Sequence, residues 1–170
     1  MVRKDILIIA LLVVFVDQCT KLLVRSILGT SHQLTIIKNI FYISFIENTG
    51  AAFGTFQGQN VILTIISIVI IGYILWYYQK IPNNLVVRLS GGFILGGALG
   101  NLIDRILLGK VTDFLQLTFW PTFNIADSAI LVGVIGALYY YYVIEHKERF
   151  KRTEKTSNNK QSYKRGTKNG

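Results

Sequence analysis

The chain has 170 residues, of which 51% are hydrophobic and 16% are charged, and it carries a formal net charge of +9. Its length allows one domain, and the small charged fraction, against about 25% in soluble domains, argues against a soluble protein. Nine of the 18 Lys and Arg residues lie at positions 147–168 without the interleaved aromatic side chains on which bases stack, so nucleic acid binding is not predicted.

Four apolar stretches are long enough to cross a membrane, which takes about 20 mostly apolar residues in a helix. They lie at about 6–28, 61–78, 87–107 and 128–145. Arg3 and Lys4 precede the first stretch, as they would in a cleaved signal peptide, but no small-x-small cleavage site follows it. We therefore predict an α-helical integral membrane protein with four transmembrane helices, the first of which is retained.

The distribution of Lys and Arg predicts the orientation, because short cytoplasmic loops carry an excess of these residues. With the N-terminus inside, 13 of them lie on the cytoplasmic side and 5 lie outside. Both termini are therefore expected in the cytoplasm. Residues 1–150 then form the four-helix membrane domain. Residues 151–170, rich in Lys, Asn, Ser, Thr and Gly, are expected to form a basic, disordered tail.

Two segments between the predicted helices are expected to face outward. The first, at about 29–60, contains residues 41–46, whose aromatic and β-branched side chains predict a strand. Residues 48–54 follow, with glycines suited to turns. We expect a small sheet on the outer surface of the bilayer. The second outer segment, 104–127, is expected to be compact.

Ionisable side chains fall within or beside the predicted helices, where a charge at a helix centre costs about 2.5–3.5 kcal/mol on insertion scales. Asp17 and Lys21 have the spacing and order of a favourable helical ion pair, and Asn101, Asp104 and Arg105 share one helix face. A purely structural interpretation stays open for both groups. The first pair would fix helix packing, and the two charges of the second group would pair at the interface.

Asp113 lies soon after the third predicted helix and Asp127 lies at the start of the fourth, at matching depth on the same side of the membrane. Alone, Asp113 is compatible with a turn residue and Asp127 with a helix cap. Together they predict a hydrolytic dyad, because two close carboxyls share one proton. The ionised member would deprotonate water while the protonated member hydrogen-bonds a peptide carbonyl. This chemistry requires neither a metal nor a cofactor.

Other classes of function follow less well from the residues. His32 and His146 have no partners at metal-ligand spacing, and Ser90 and Ser128 have no nearby histidine, so neither a histidine metal site nor a serine protease is predicted. A transporter would line an ion path with the charges of the first and third helices, but these gather at one interface. A metal-dependent lipid-phosphate enzyme would use the two aspartates as ligands, and chelator sensitivity would identify it.

Four sequence blocks contain most of the candidate site residues. They are Asn48-Thr49-Gly50-Ala51-Ala52-Phe53-Gly54, Gly100-Asn101-Leu102-Ile103-Asp104-Arg105, Val111-Thr112-Asp113-Phe114 and Phe123-Asn124-Ile125-Ala126-Asp127-Ser128. These blocks resemble the conserved blocks of bacterial lipoprotein signal peptidase (signal peptidase II), and the likeness extends in order and with similar spacing over residues 17–144.

The resemblance implies an aspartic endopeptidase of the bacterial cytoplasmic membrane, with four helices, a small extracytoplasmic β-sheet and an active site near the outer face. It implies cleavage of diacylglyceryl-modified prolipoproteins immediately before the lipidated cysteine, with no cofactor and no metal. Membrane lipid is the other expected partner, and a monomer is expected. Asp113 and Asp127 match the catalytic pair. The matching substrate-binding or supporting positions are Asn48, Gly50, Asn101, Arg105, Asn124, Asp17, Lys21 and Asp104.

The predicted orientation can be tested with reporter fusions. A fusion after Arg152 should report the cytoplasm and a fusion near His32 the outside, because 13 of the 18 Lys and Arg residues then lie inside. The measurement is the activity of a reporter that works on one side of the membrane only. An outside signal from the fusion after Arg152 contradicts the four-helix topology.

Overall fold

Four long helices dominate the structure, a computed structural model that describes residues 4–29, 33–50 and 57–147. The helices are α1 (Lys4–Leu28), α2 (Asn60–Tyr77), α3 (Leu85–Leu108) and α4 (Ile125–Tyr139). A 3₁₀ turn (Tyr78–Lys80) extends α2 and a π-helical segment (Tyr140–Glu145) extends α4. With these extensions, all four are long and apolar enough to cross a membrane. The predicted tail, 151–170, and residues 51–54 of the glycine-containing block lie outside the described residues.

A four-stranded antiparallel sheet is built from two hairpins, one between α1 and α2 and the other between α3 and α4. Its strands are β1 (Gln33–Ile37), β2 (Phe41–Asn48), β3 (Val111–Leu117) and β4 (Trp120–Phe123), in the order β1-β2-β3-β4. The predicted fold class, a four-helix membrane protein with a small β-sheet, is confirmed. The side of the membrane on which the sheet lies stays a prediction.

The sheet is larger than the sequence indicated. Only β2 was predicted, and the sheet was expected within residues 29–60, whereas β3 and β4 come from the segment 104–127. Asp113 lies inside β3, where it pairs with Ile46 of β2. The interpretation of Asp113 as a turn residue is therefore wrong, and the rigid ladder of the sheet holds its backbone.

The sheet packs on the end of the helix bundle through a small buried cluster. Val24 and Leu28, from the last turns of α1, contact Phe114 of β3, and Ile125 at the start of α4 packs against the same cluster. Burial of these apolar side chains is favourable, and it holds β3 against the end of α1 and the start of α4.

Helix α3 lies at the centre of the bundle and packs against the other three helices. Its glycines allow the close approach. A Cβ on Gly96 would lie 2.6 Å from the Cβ of Val13 and 2.7 Å from the carbonyl oxygen of Ala10, both on α1. A Cβ on Gly97 would collide with the carbonyl oxygen of Ala126 on α4. Small residues thus bring α1, α3 and α4 into backbone contact.

Candidate active site

A groove of about 640 Å³ lies between α3, α4 and the sheet, and both predicted aspartates line it. Its wall is mostly apolar, with Phe119, Trp120, Ile130, Leu131 and Val134 among the side chains that form it. Six of the predicted site residues lie on this wall: Asn48, Gly50, Asn101, Arg105, Asp113 and Asp127. The other four, Asp17, Lys21, Asp104 and Asn124, are almost fully buried behind it.

Asp113 is only 2% exposed and its two carboxylate oxygens accept hydrogen bonds from two asparagine amides. Asn48 Nδ2 donates to Oδ2 at 2.8 Å and Asn124 Nδ2 donates to Oδ1 at 2.7 Å. Burial, followed by the negative charge of Asp127, raises the pKa of Asp113 to about 7, although the two amide hydrogen bonds oppose this change. Asp113 is therefore poised to bind or release a proton near neutral pH.

Asp127 serves both the helix and the groove. Asn124 is the N-cap of α4 and its Oδ1 accepts from the backbone N–H of Asp127, while Asp127 Oδ2 accepts from the backbone N–H of Asn124 at 3.2 Å. This reciprocal pair is a capping box. The other oxygen, Oδ1, accepts from Asn101 Nδ2 at 2.8 Å. The cap interpretation is thus correct in part, but Asn124 is the N-cap and Asp127 also faces the groove.

Asn124 connects the two aspartates, since its side chain contacts Asp113 and its backbone contacts Asp127. The amide Nδ2 also lies 3.1 Å from Asn101 Oδ1 and 3.3 Å from the carbonyl oxygen of Thr112. The residue is fully buried. A buried amide with these partners has one orientation, so it fixes the position of one carboxylate relative to the other.

The orientation of Asn48 is fixed in a similar way. The backbone N–H of Gly50 donates to Asn48 Oδ1 at 2.8 Å, which turns the Asn48 NH₂ group toward Asp113. Gly50 therefore acts on the site through its backbone. Of the glycine-containing block, only residues 48–50 belong to the described part of the chain.

Behind the groove, Lys21 is fully buried and bridges α1 to α3. Its Nζ lies 2.8 Å from Asp17 Oδ2 and 3.3 Å from Asp104 Oδ2, and it donates to Asn101 Oδ1 at 3.0 Å. The i, i+4 ion pair predicted from the sequence is present. Asp104 forms ion pairs with Lys21 and Arg25 on α1. The interpretation of Asp104 and Arg105 as an interfacial pair is therefore wrong.

Sequence reasoning missed two residues that join this network. Arg25 Nη2 lies 2.8 Å from Asp104 Oδ1, and its Nε donates to Thr112 Oγ1 at 2.8 Å. Gln18 Nε2 donates to the carbonyl oxygen of Gly100 at 3.0 Å. Arg25 continues the i, i+4 series of Asp17 and Lys21, and that spacing was the signal available in the sequence.

Arg105 is the cation of the groove wall, and it lies close enough to both aspartates to interact with them electrostatically. Within the described part of the chain, its guanidinium has no hydrogen-bond partner, although its backbone carbonyl accepts from Gly109 and Asn60. A guanidinium offers five N–H donors. Arg105 is therefore available to bind an oxygen-rich group that enters the groove.

The raised pKa of Asp113 predicts a pH-dependent stability. Between its ordinary value of 3.8 and about 7, the folded protein holds a proton that the unfolded chain releases, so the free energy of unfolding falls as the pH rises through this window. Asp113→Asn removes the titration. From about pH 5 to about pH 8, the free energy of unfolding of the variant relative to wild type should therefore increase by about 3 kcal/mol, because about two pH units separate pH 5 from the pKa of about 7. The measurement is the melting temperature of both proteins at the two pH values.

In Asp113→Asn, the new side chain has one acceptor oxygen where Asp113 has two. The hydrogen bond that is lost lowers the stability by an amount that does not depend on pH. Ser128→Ala is the control, since it changes a non-titrating side chain in the first turn of α4 and its effect should be equal at both pH values. A difference between Asp113→Asn and wild type that stays constant or shrinks with pH contradicts the raised pKa.

Comparisons with known proteins agree with this architecture. A model of the family described as signal peptidase (SPase) II matches residues 9–143. The lipoprotein signal peptidase of Halothermothrix orenii is 42% identical over 135 residues, an alignment that covers 79% of this chain and 93% of that protein. The lipoprotein signal peptidase of Caldanaerobacter subterraneus is 43% identical over 131 residues, which cover 76% of this chain and 90% of that protein.

Two solved structures of bacterial membrane enzymes, both determined by the in meso method, are also similar to the chain. One, at 2.3 Å resolution, has a TM-score of 0.78 and 29% identity and covers 88% of this chain and 93% of its own. The other, at 1.9 Å, has a TM-score of 0.75 and 30% identity, with coverages of 84% and 96%. Because the family model and the relatives span most of the sequence, the chain belongs to the signal peptidase II family, whose members remove signal peptides from prolipoproteins.

Proposed function

We propose that the chain cuts diacylglyceryl-modified prolipoproteins immediately before the lipidated cysteine, with Asp113 and Asp127 as the dyad that activates water. The observation that carries the proposal is the placement of two acidic side chains, linked through Asn124, on the wall of one largely apolar groove. Such a groove suits a substrate with an apolar signal segment and acyl chains, and the carboxylates supply acid and base at the bond to be cut.

The mechanism follows from the two protonation states of the pair. The ionised carboxylate takes a proton from water as the water oxygen attacks the peptide carbonyl carbon, and the protonated carboxyl donates its proton to the carbonyl oxygen. The tetrahedral intermediate then collapses. The C–N bond breaks as the amine of the lipidated cysteine takes up the proton held by the dyad. One hydroxyl of the tetrahedral intermediate gives its proton to the dyad as the new carboxyl group forms, so the dyad returns to its starting state with one shared proton.

Burial and the surrounding hydrogen bonds change the pKa of Asp113 in opposite directions. Burial disfavours the charge on Asp113, whereas the amides of Asn48 and Asn124 favour it. One member can therefore keep its proton while the other ionises. The two carboxyls titrate as a unit, and the apparent pKa values belong to the pair.

Competing functions fit the geometry less well. An ion path would need solvent contact for the charges of α1 and α3, but the exposed fractions of Asp17, Lys21 and Asp104 are 0%, 0% and 1%, and these side chains pair with one another. A metal-dependent enzyme that uses Asp113 and Asp127 as ligands would lose its activity in a chelator. The proposed dyad needs no metal, so we expect a chelator to leave the activity unchanged.

Substitution of the dyad tests the proposal directly. Asp113→Asn and Asp127→Asn keep the side-chain size, but the new side chains cannot accept and return a proton. Each variant should therefore lower turnover by about 10²–10⁴-fold. The double variant should be little worse than either single variant, because the residues act together. The measurement is the mass of the products when purified protein is incubated with a diacylglyceryl-modified prolipoprotein.

Asp5→Asn is the matched control for these variants. The side chain of Asp5 is 42% exposed and pairs with Arg88, outside the groove, so the substitution should leave turnover unchanged. Substantial turnover by Asp127→Asn would reduce Asp127 to its capping role and would exclude the aspartic mechanism. Cleavage at another bond would instead overturn the proposed position of the cut.

Arg105 is proposed to bind the backbone carbonyls of the substrate or the ester oxygens of its lipid. Arg105→Ala should lower turnover by about tenfold or more while the protein still inserts, because a charge-assisted hydrogen bond to the substrate is lost. Arg105→Lys should recover only part of it, since a point charge cannot copy the planar fork of the guanidinium. The measurement is kcat and KM with the modified prolipoprotein.

Arg88→Ala is the control for Arg105, because it removes an arginine at the opposite end of the same helix, where Arg88 pairs with Asp5. It should keep wild-type kinetics. If Arg105→Ala behaves as Arg88→Ala does, Arg105 has no role in substrate binding.

A further inference from the structure

The buried ion cluster, formed by Asp17, Lys21, Arg25 and Asp104, contacts the backbone on both sides of the site. Asp17 Oδ1 accepts from the N–H of Ala126 at 2.9 Å, and Asp104 Oδ2 accepts from the N–H of Thr112 at 2.9 Å. Ala126 immediately precedes Asp127, and Thr112 immediately precedes Asp113. Each member of the dyad therefore follows a peptide group that is held by one carboxylate of the cluster.

We propose that Asp17 and Asp104 are positioning residues, which set the separation of Asp113 and Asp127 through these two backbone hydrogen bonds. The inference rests on the proposed function of the dyad. It assigns a task to two aspartates that take no part in the proton transfers. Neither of them touches the substrate, and each acts through the residue that precedes a dyad member.

Both N–H groups lie in residues that are almost fully buried. The N–H of Ala126 lies in the first turn of α4, where backbone donors have no acceptor within the helix. Thr112 is 3% exposed and Ala126 is 0% exposed, so water does not replace a lost acceptor without a rearrangement. Hydrogen bonds to ionised carboxylates are roughly twice as strong as neutral ones, and each therefore restrains its peptide group tightly.

Lys21 joins the two anchors into one unit. Its ammonium contacts Asp17 and Asp104 together, and it donates to Asn101, whose amide in turn donates to Asp127. The distance between the anchored peptides is consequently fixed across α1, α3, α4 and β3. A displacement of one anchor by about 1 Å would be enough to lower catalysis by about 10²-fold.

Paired substitutions separate this role from a general contribution to folding. Asn and Leu branch at the same atom and both remove one negative charge, but only Asn keeps an oxygen that can accept the backbone N–H. Asp17→Asn is compared with Asp17→Leu, and Asp104→Asn with Asp104→Leu. The readouts are kcat and KM with the modified prolipoprotein, per mole of folded protein, and the pH profile of kcat.

Each Leu variant should have a kcat at least about tenfold below that of its Asn partner, with KM within about twofold. The spacing of the two apparent pKa values in the pH profile should also differ between Leu and Asn, because it reports the interaction between the dyad carboxyls. Equal kcat values and equal pH profiles for Leu and Asn at both positions would overturn the proposal.

A Leu variant that does not fold is replaced by a backbone change. Lactic acid incorporated in place of Ala126 replaces the backbone N–H with an ester oxygen. Every side chain is kept, and the donor to Asp17 is removed. A fall in kcat per folded protein supports the proposal, and an unchanged kcat overturns it. Failure of the proposed function gives a different result, because wild type would then release no signal peptide or Asp113→Asn would still turn over.

Discussion

The buried charge of Lys21 is the constraint on which the helix arrangement depends. A lysine with no solvent contact, within a helix that crosses lipid, must be compensated inside the protein, and Asp17 and Asp104 provide two carboxylates at 2.8 and 3.3 Å. Because Asp104 lies on α3, this compensation requires α1 and α3 to touch, and the absence of a side chain on Gly96 allows it. The bond from Asp17 to Ala126 brings in α4. Electrostatics and backbone packing thus specify the same three-helix contact.

Two amides at the site are oriented by hydrogen bonds to their oxygens, one of them from the same cluster. Lys21 donates to the oxygen of Asn101, so the NH₂ group of Asn101 must point to Asp127. Asn48 is turned toward Asp113 by the backbone of the following turn. These donors stabilise the ionised carboxylates, while burial stabilises the protonated ones. The pKa of Asp113, about 7, reflects this opposition, and a carboxyl with that pKa suits proton transfer near neutral pH.

The helices and the ion pair of α1 were predictable because apolar length and i, i+4 spacing are local properties of the sequence. β1, β3 and β4 were missed because strands depend on pairing with partners that their own sequences do not specify. β3 pairs with β2, which is far away in the chain, and β4, with four residues, pairs with β3. The pairing of Asp104 was misjudged because consecutive helical residues point about 100° apart. Asp104 faces α1, whereas Arg105 faces the groove. The partners of Asp104 lie about 80 positions away, and no spacing rule reaches that far.

The two aspartates come from elements of different kinds, and this difference bears on the proposed reaction. Asp113 lies on a strand of the sheet that covers the end of the bundle, whereas Asp127 lies in the first turn of α4, whose apolar length continues along the groove. Under the proposed function, a dyad shared between the sheet and a membrane helix would receive both a lipid-held peptide bond and water. Such a site has rigid support only if the sheet and the helix are fixed to each other. The N–H groups of Thr112 and Ala126, held by Asp104 and Asp17, provide that connection where the chemistry requires it.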